Sequence, residues 1–298
     1  MMKHSNIYNK VLPLAVSVLL ATSCSSDTSV ADAAKRAVAL RIELEGISPT
    51  RAIMDPTLPD NSQYGIYVTT DAQPTIQRGH EWFNIPVTYQ KGKSSIEKDI
   101  ILDANPHYVY ATYPIEKNSD LMTRSLEVKS QTDYLYGMAI DSDGQRAAIT
   151  ENNPVAHIRL RHAMALLRFN IFQDESNTAQ NLVTGIRIPK DITSCALDLQ
   201  TGKRTSEQWG AHAISCQVNA NPTAQTVEML VIPNSQSVQG YEFCVNGQWI
   251  YGSVQTTIEE NNSYTFNIEI RSKGELAISN PIIVPREDGG TEHLTIDD

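Results

Sequence analysis

Val38, Leu40, Ile42 and Leu44 fall on one side of an extended chain, and Ala39, Arg41 and Glu43 fall on the other. A repeat of two residues does not give a helix a single apolar face. It is the pattern of a strand with one face buried. Strand-like runs return at 63–69, 82–89, 96–102, 108–113, 134–140, 155–160, 182–188, 194–199, 228–232 and 264–271. Turn formers separate them: Lys91-Gly92, Asp103-Ala104-Asn105-Pro106, Asp141-Ser142-Asp143-Gly144 and Thr201-Gly202-Lys203. Residues 163–171 suit either period, and Phe169-Asn170-Ile171-Phe172 favours a strand. Residues 241–251 predict a hairpin turning at Asn246-Gly247, a dipeptide that tolerates positive φ twice. Residues 276–284 form the last long apolar run. No long amphipathic helix pattern occurs. The reading is therefore an all-β chain of sandwich or barrel type.

The first residues follow a different rule. Lys3, His4 and Lys10 precede an apolar run over 11–21, and Cys24 comes just after small residues. This is the layout of a secretory signal peptide with a lipid-acceptor cysteine at the cleavage point, although Ala21 stands where that motif usually has Leu. The run is too short to span a bilayer. Cleavage leaves Cys24 as the first residue, acylated, with a lipid tether at the cell surface. Residues 1–23 are then the signal peptide and 24–36 a polar tether. Asn152-Asn153-Pro154 interrupts the strand pattern, so two domains are expected, at 37–154 and 155–298.

Charge and cysteine usage narrow the function. Lys and Arg number 24 against 34 Asp and Glu, a net charge of −10, which becomes −12 once Lys3 and Lys10 leave with the signal. An acidic surface argues against nucleic acid as a partner. Three cysteines remain beside Cys24. Cys195 and Cys216 are the nearest pair for a disulfide in an oxidising compartment, and the alternative is buried apolar thiols. No nucleophile elbow, His-Glu-x-x-His or phosphate-binding glycine loop is present, so no catalytic residues, metal or cofactor are assigned. Asp141-Ser142-Asp143-Gly144 has its glycine too early for a calcium loop and reads as a turn. His157, Arg159 and Arg161 share the polar face of one run. They are either a solvated strand face or a patch for an anion or acidic glycan.

Several segments, taken in order, resemble the fimbrillin family of Bacteroidales, the lipoprotein subunits of type V pili. They are the lipobox at Cys24, the strand over 38–44 leading to Thr50-Arg51-Ala52, Tyr64-Gly65-Ile66-Tyr67, and Tyr108-Val109-Tyr110-Ala111-Thr112-Tyr113-Pro114. Thr132-Asp133-Tyr134-Leu135-Tyr136-Gly137, His162-Ala163-Met164-Ala165-Leu166-Leu167-Arg168-Phe169, Asn262-Ser263-Tyr264-Thr265-Phe266 and Leu276-Ala277-Ile278-Ser279 complete the set. The resemblance implies two tandem transthyretin-like β-sandwich domains. It also implies a route of assembly with a role in cell adhesion at the outer membrane. An arginine-specific protease cuts between Arg51 and Ala52, the strand over 38–44 departs, and a neighbouring pilus subunit fills the vacancy by strand addition. Arg36 and Arg41 are rival cut sites, and Arg41 lies inside a strand. The donor would be 276–284 or 292–296. The competing expectation is a surface lipoprotein that does not polymerise and binds a glycan or host protein.

Overall fold

The computed structural model describes residues 37–45, 58–70, 82–116, 122–271 and 275–286. The signal peptide and tether, Cys24, Arg36, Arg51, Ala52 and residues 292–296 lie outside the described residues. Among the described residues there is no α-helix, and one 3-10 turn covers Val128–Ser130.

The leading half runs β1 (Val38–Ala39), β2 (Arg41–Glu45), β3 (Ser62–Thr69), β4 (Ile85–Gln90), β5 (Lys93–Ile96), β6 (Ile101–Leu102), β7 (Tyr108–Tyr113), β8 (Thr123–Glu127), β9 (Leu135–Ala139) and β10 (Val155–His162). A seven-stranded sheet has the order β2-β10-β9-β7-β3-β4-β5, and β1 pairs with β6 apart from it. Only β2 and β10 run parallel in that sheet. Alternation explains its two cores. Ile66, Val68, Val109, Ala111, Ile158 and Leu160 face one cluster, together with Leu40 and Ile42. Tyr67, Tyr110 and Tyr136 face the other cluster, where they meet Leu126, Met164, Leu166, Leu197 and Leu230. A sheet covered on both sides buries consecutive residues, which is why Tyr64 through Thr69 are all buried. Where β9 passes β10, Gly137 leaves no room for a side chain: a Cβ there would strike the Arg159 carbonyl.

The trailing half runs β11 (Ala165–Gln173), β12 (Asn181–Asp198), β13 (Arg204–Ala220), β14 (Gln225–Val231), β15 (Val238–Val245), β16 (Gln248–Gln255), β17 (Asn262–Ile270), β18 (Leu276–Ile278) and β19 (Ile282–Pro285). One sheet has the order β14-β11-β17-β18, with β19 also on β17. The other has the order β13-β12-β15-β16, with β8 also on β12. Their inner faces meet around Phe169, which lies edge-on to Phe243 at 5.6 Å and stacks with Phe266 at 5.5 Å. Burying such aromatic clusters is the main favourable term in a sandwich core. The fold is all-β, with packed sheets of the β-sandwich kind.

Several expectations are refined. The hairpin turns at Asn246 and Gly247, both with positive φ (50° and 84°). Residues 163–171 are strand, as β11. The runs at 182–188 and 194–199 are parts of one strand, β12, which continues through bulges opposite β13. The run at 276–284 is two strands, because Ser279, Asn280 and Pro281 break it. β8 carries too little alternation to be read from sequence, as does β13 over 204–210; from Ile214 on, β13 alternates Ile214, Cys216 and Val218 with Ser215, Gln217 and Asn219. Strand β10 sits in the leading sheet although it follows Pro154, and β8 crosses into the trailing one.

Candidate functional site at the leading and trailing strands

The chain's first described segment holds an edge position. Leu40 N donates to the Ile100 carbonyl at 2.9 Å, and Arg41 N donates to the Pro154 carbonyl at 2.8 Å, so the chain changes sheet at Leu40. From there β2 lies parallel to β10, in register Arg41↔Val155 through Glu45↔Arg159. Leu40 and Ile42 point into the core and Leu44 is half-buried, as their alternation predicts. The outer face is acidic, and it meets the basic stripe. Glu43 lies 3.4 Å from His157, Glu45 lies 3.3 Å from Arg159, and Glu260 lies 3.7 Å from Arg161. Arg161 also stacks over the Tyr136 ring at 4.5 Å. The three basic side chains predicted to share a face do share it. With β2 in place they are matched by carboxylates rather than open to an anion.

The chain's last described segment holds another edge. β18 pairs with β17 at Ile268 to Ile270, and β19 pairs with it at Asn262 to Thr265. Ile282 and Ile283 of β19 remain half exposed. Just past β19, Arg286 turns inward. Its Nη2 donates to Asp133 Oδ2 at 2.7 Å, and Asp133 Oδ1 lies 2.9 Å from His162 Nδ1. His162 is fully buried and the Arg286 side chain is 4% exposed. Asp133 precedes β9 and His162 ends β10, so this ion pair ties the end of the trailing strand to the leading sheet. Burial works to raise the Asp133 carboxyl, but its bonds to His162 and Arg286 outweigh that and hold it below the usual carboxylate range. Burial in turn pushes the Arg286 guanidinium down, against the pull of Asp133.

A second buried polar group lies within the trailing sandwich. Asp191 Oδ1 accepts from Ile192 N at 2.8 Å and from Asn234 Nδ2 at 2.9 Å, and His212 Nδ1 stands 3.6 Å from Oδ2. Burial raises the Asp191 carboxyl to about 7 and lowers the His212 imidazole to about 4. The two-residue approach supplies no third ligand. Among the described residues no three His, Cys, Asp or Glu side chains gather as a metal set would.

The cysteines do not pair. Cys195, Cys216 and Cys244 are all free thiols. Cys195 faces Leu126 of β8 near one end of β12, whereas Cys216 lies beside Val183 near the other end, with its sulfur 3.8 Å from the Val183 carbonyl. About ten residues of strand separate the two levels, on the order of 30 Å. That distance replaces the expected Cys195–Cys216 disulfide with thiols in apolar surroundings. Burial pushes Cys195 up to about 11, the behaviour of an unreactive cysteine. The Asp141 loop is a turn: its carboxylate accepts from Asp143 N and Gln145 N.

The sequence model of the fimbrillin-like family matches residues 50–283. The chain belongs to the fimbrillin-like family. No curated protein matches it. Among solved structures, a candidate cell adhesion protein from Bacteroides uniformis superposes with a TM-score of 0.62 at 19% identity, covering 84% of this chain and 99% of that one. A candidate cell adhesion protein from Bacteroides ovatus gives 0.56 at 15% identity, covering 87% and 99%. A fimbrial protein from Bacteroides vulgatus gives 0.50 at 7% identity, covering 84% and 99%. At such identities the likeness is one of fold, and this fimbrillin-like chain shares it over most of its length.

Proposed function

We propose that this fimbrillin-like chain is a structural or accessory subunit of a surface fibre, that it serves cell adhesion, and that copies join by strand replacement at the β2 position. The observation that carries the reading is β2 itself, an edge strand of five residues with its own apolar side chains in the core. Its loss would leave the β10 edge over Val155 to Arg159 without a ladder partner, β9 holding only the other edge, and uncover the places of Leu40, Ile42 and Leu44. Unpaired backbone groups and open apolar pockets of this kind favour any strand that can fill them. It would also strip His157 and Arg159 of Glu43 and Glu45, so an incoming strand with acids on its outer face would fit best.

The remaining parts of the reading follow the sequence. The chain is anchored in the outer membrane through acylated Cys24. It is organised as tandem sandwich domains over 37–154 and 155–298, with β10 and β8 crossing between their sheets. An arginine-specific protease cleaves between Arg51 and Ala52. Arg41 is a poor alternative because its backbone is paired in β2, and Arg36 stays a rival. As donor, 276–284 would have to abandon β17 and break the Arg286–Asp133 pair, whereas 292–296 would leave both intact.

Treating the purified chain with an arginine-specific protease tests the scheme. Cleavage at Arg51 is expected to yield oligomers that survive mild detergent, and truncation after Arg286 to abolish them. Cleaved chains that stay monomeric would refute it.

A further inference from the structure

β13 is the longest edge strand of the described residues, and it is unguarded. Its ladder is with β12 alone; among the described residues no strand pairs with its outer edge. Edge strands are normally protected by charge, proline or bulges. Residues 208–220 contain no Asp, Glu, Lys, Arg or Pro, in a chain with 58 charged side chains. The β12–β13 ladder shifts register between His212 and Gly210, where Pro189 and Lys190 of β12 stand against Ala211 alone, and the extra residue belongs to β12; from His212 to Ser215 the pairing is regular. Several other edges among the described residues differ. β2 carries Arg41, Glu43 and Glu45, β5 carries Lys93, and β14 carries Glu228. β16 is also uncharged, but Ile278 of β18 packs against its Gly252.

The core beneath β13 is open on that side as well. Its inward residues Ile214 and Cys216 pack on the sandwich core yet are only partly buried, and Trp209 is 45% exposed. One more strand beside β13 would complete their burial.

We propose that the outer edge of β13 is a self-association surface, on which a second copy of this chain adds its own β13, antiparallel, across a two-fold axis at His212. Two features favour a second copy over a foreign strand. An acidic chain repels its own copies, and β13 is an edge where two copies can meet without bringing like charges together. The sequence around the axis is also close to self-complementary. Ala211 would face Ala213 of the other copy, Gly210 would face Ile214, and Trp209 would face Ser215. In an antiparallel pair opposite residues point to the same side, so outward Ala211 and Ala213 meet on one face while Ile214 stays on the core side. This contact is separate from β2 and the trailing strand, and it needs no cleavage.

The test is sedimentation of the uncleaved full chain in mild detergent over a range of concentrations. The expected result is a concentration-dependent dimer with quenched or shifted Trp209 fluorescence. The double variant Ala211→Lys, Ala213→Lys places two like-charged pairs across the axis and should weaken the dimer at least about tenfold. Ala211→Ser should leave it unchanged. Both sites are exposed, and an unaltered circular dichroism spectrum verifies that the variants fold. A chain that stays monomeric at high micromolar concentration would overturn the proposal, as would a dimer that the lysines do not weaken. Because no protease is present, neither outcome bears on strand replacement at β2.

Discussion

The leading and trailing strands both lie at sheet edges, yet they are held by different means. β2 has a five-residue parallel ladder, two core side chains and ion pairs exposed to water. β18 and β19 share β17 between them and end in a buried guanidinium–carboxylate pair. Exposed ion pairs contribute little, because water and salt screen them. A buried pair is costly to form, but removing one partner leaves the other charge stranded. The contrast teaches that one edge strand is seated by apolar side chains and surface charge alone, while the other ends in an anchor in the interior.

The sharpest way to break this comparison is at the anchor. Arg286→Met should destabilise the fold by about 3 kcal/mol, read from urea midpoints, because Asp133 keeps only His162. A loss no greater than that from a surface arginine would remove the distinction. Ile42→Ala should cost about 2 kcal/mol through the emptied core position. It should speed hydrogen exchange at Arg41–Glu45 while β17 stays protected. Equal acceleration in both places would mean that β2 does not open by itself.

Acid provides a third probe. The folded Asp133 carboxyl lies below its ordinary value of 3.8, so it stabilises the fold above that pH. The contribution is lost as pH falls through the folded value. Asp133→Asn should therefore flatten the acid limb of a stability profile and leave the slope of the neutral region unchanged. Asp191, raised to about 7, acts in the opposite sense: stability from this group falls as pH rises from about 4 to about 7. Comparing the variant with the parent isolates Asp133. An acid limb unchanged in Asp133→Asn would mean the anchor is not charged. The smallest effect is expected at Glu45→Gln, under about 0.5 kcal/mol in thermal unfolding. A loss greater than that of Ile42→Ala would show that the outer face of β2 matters more than its core side chains.

Particular residues show where sequence reading succeeds. The leading strand was legible because Leu40 and Ile42 are buried while Arg41 and Glu43 are not. The turn at Asn246-Gly247 was legible because few residues accept positive φ. β13 was not, since its apolar alternation is confined to Ile214, Cys216 and Val218 and the rest of the strand is small or polar. Its inward positions are His212, Ile214 and Cys216, and its outward ones Ala211, Ala213 and Ser215. The basic stripe was legible as a stripe. Its partners Glu43, Glu45 and Glu260 were not, because parallel pairing with β2 and the turn before β17 bring them opposite it from distant parts of the chain. Asp133 and His162 lie in segments that carry the resemblance, but neither is marked there as a partner of the other or of Arg286. The three stand 29 and 124 residues apart along the chain, and nothing local marks them as a set.

By itself the sequence determined that the chain is all strand, where its turns fall, and that its first strand has a core face. Those are local consequences of side-chain period and backbone freedom, carried within a few residues. Only the tertiary structure decided that this strand takes an edge, that Arg286 closes on Asp133, that Cys195 and Cys216 stay apart, and that no strand among the described residues covers β13. Such features depend on which segments lie side by side after the sheets close, and strand pairing over long separations is set by the packing of the whole.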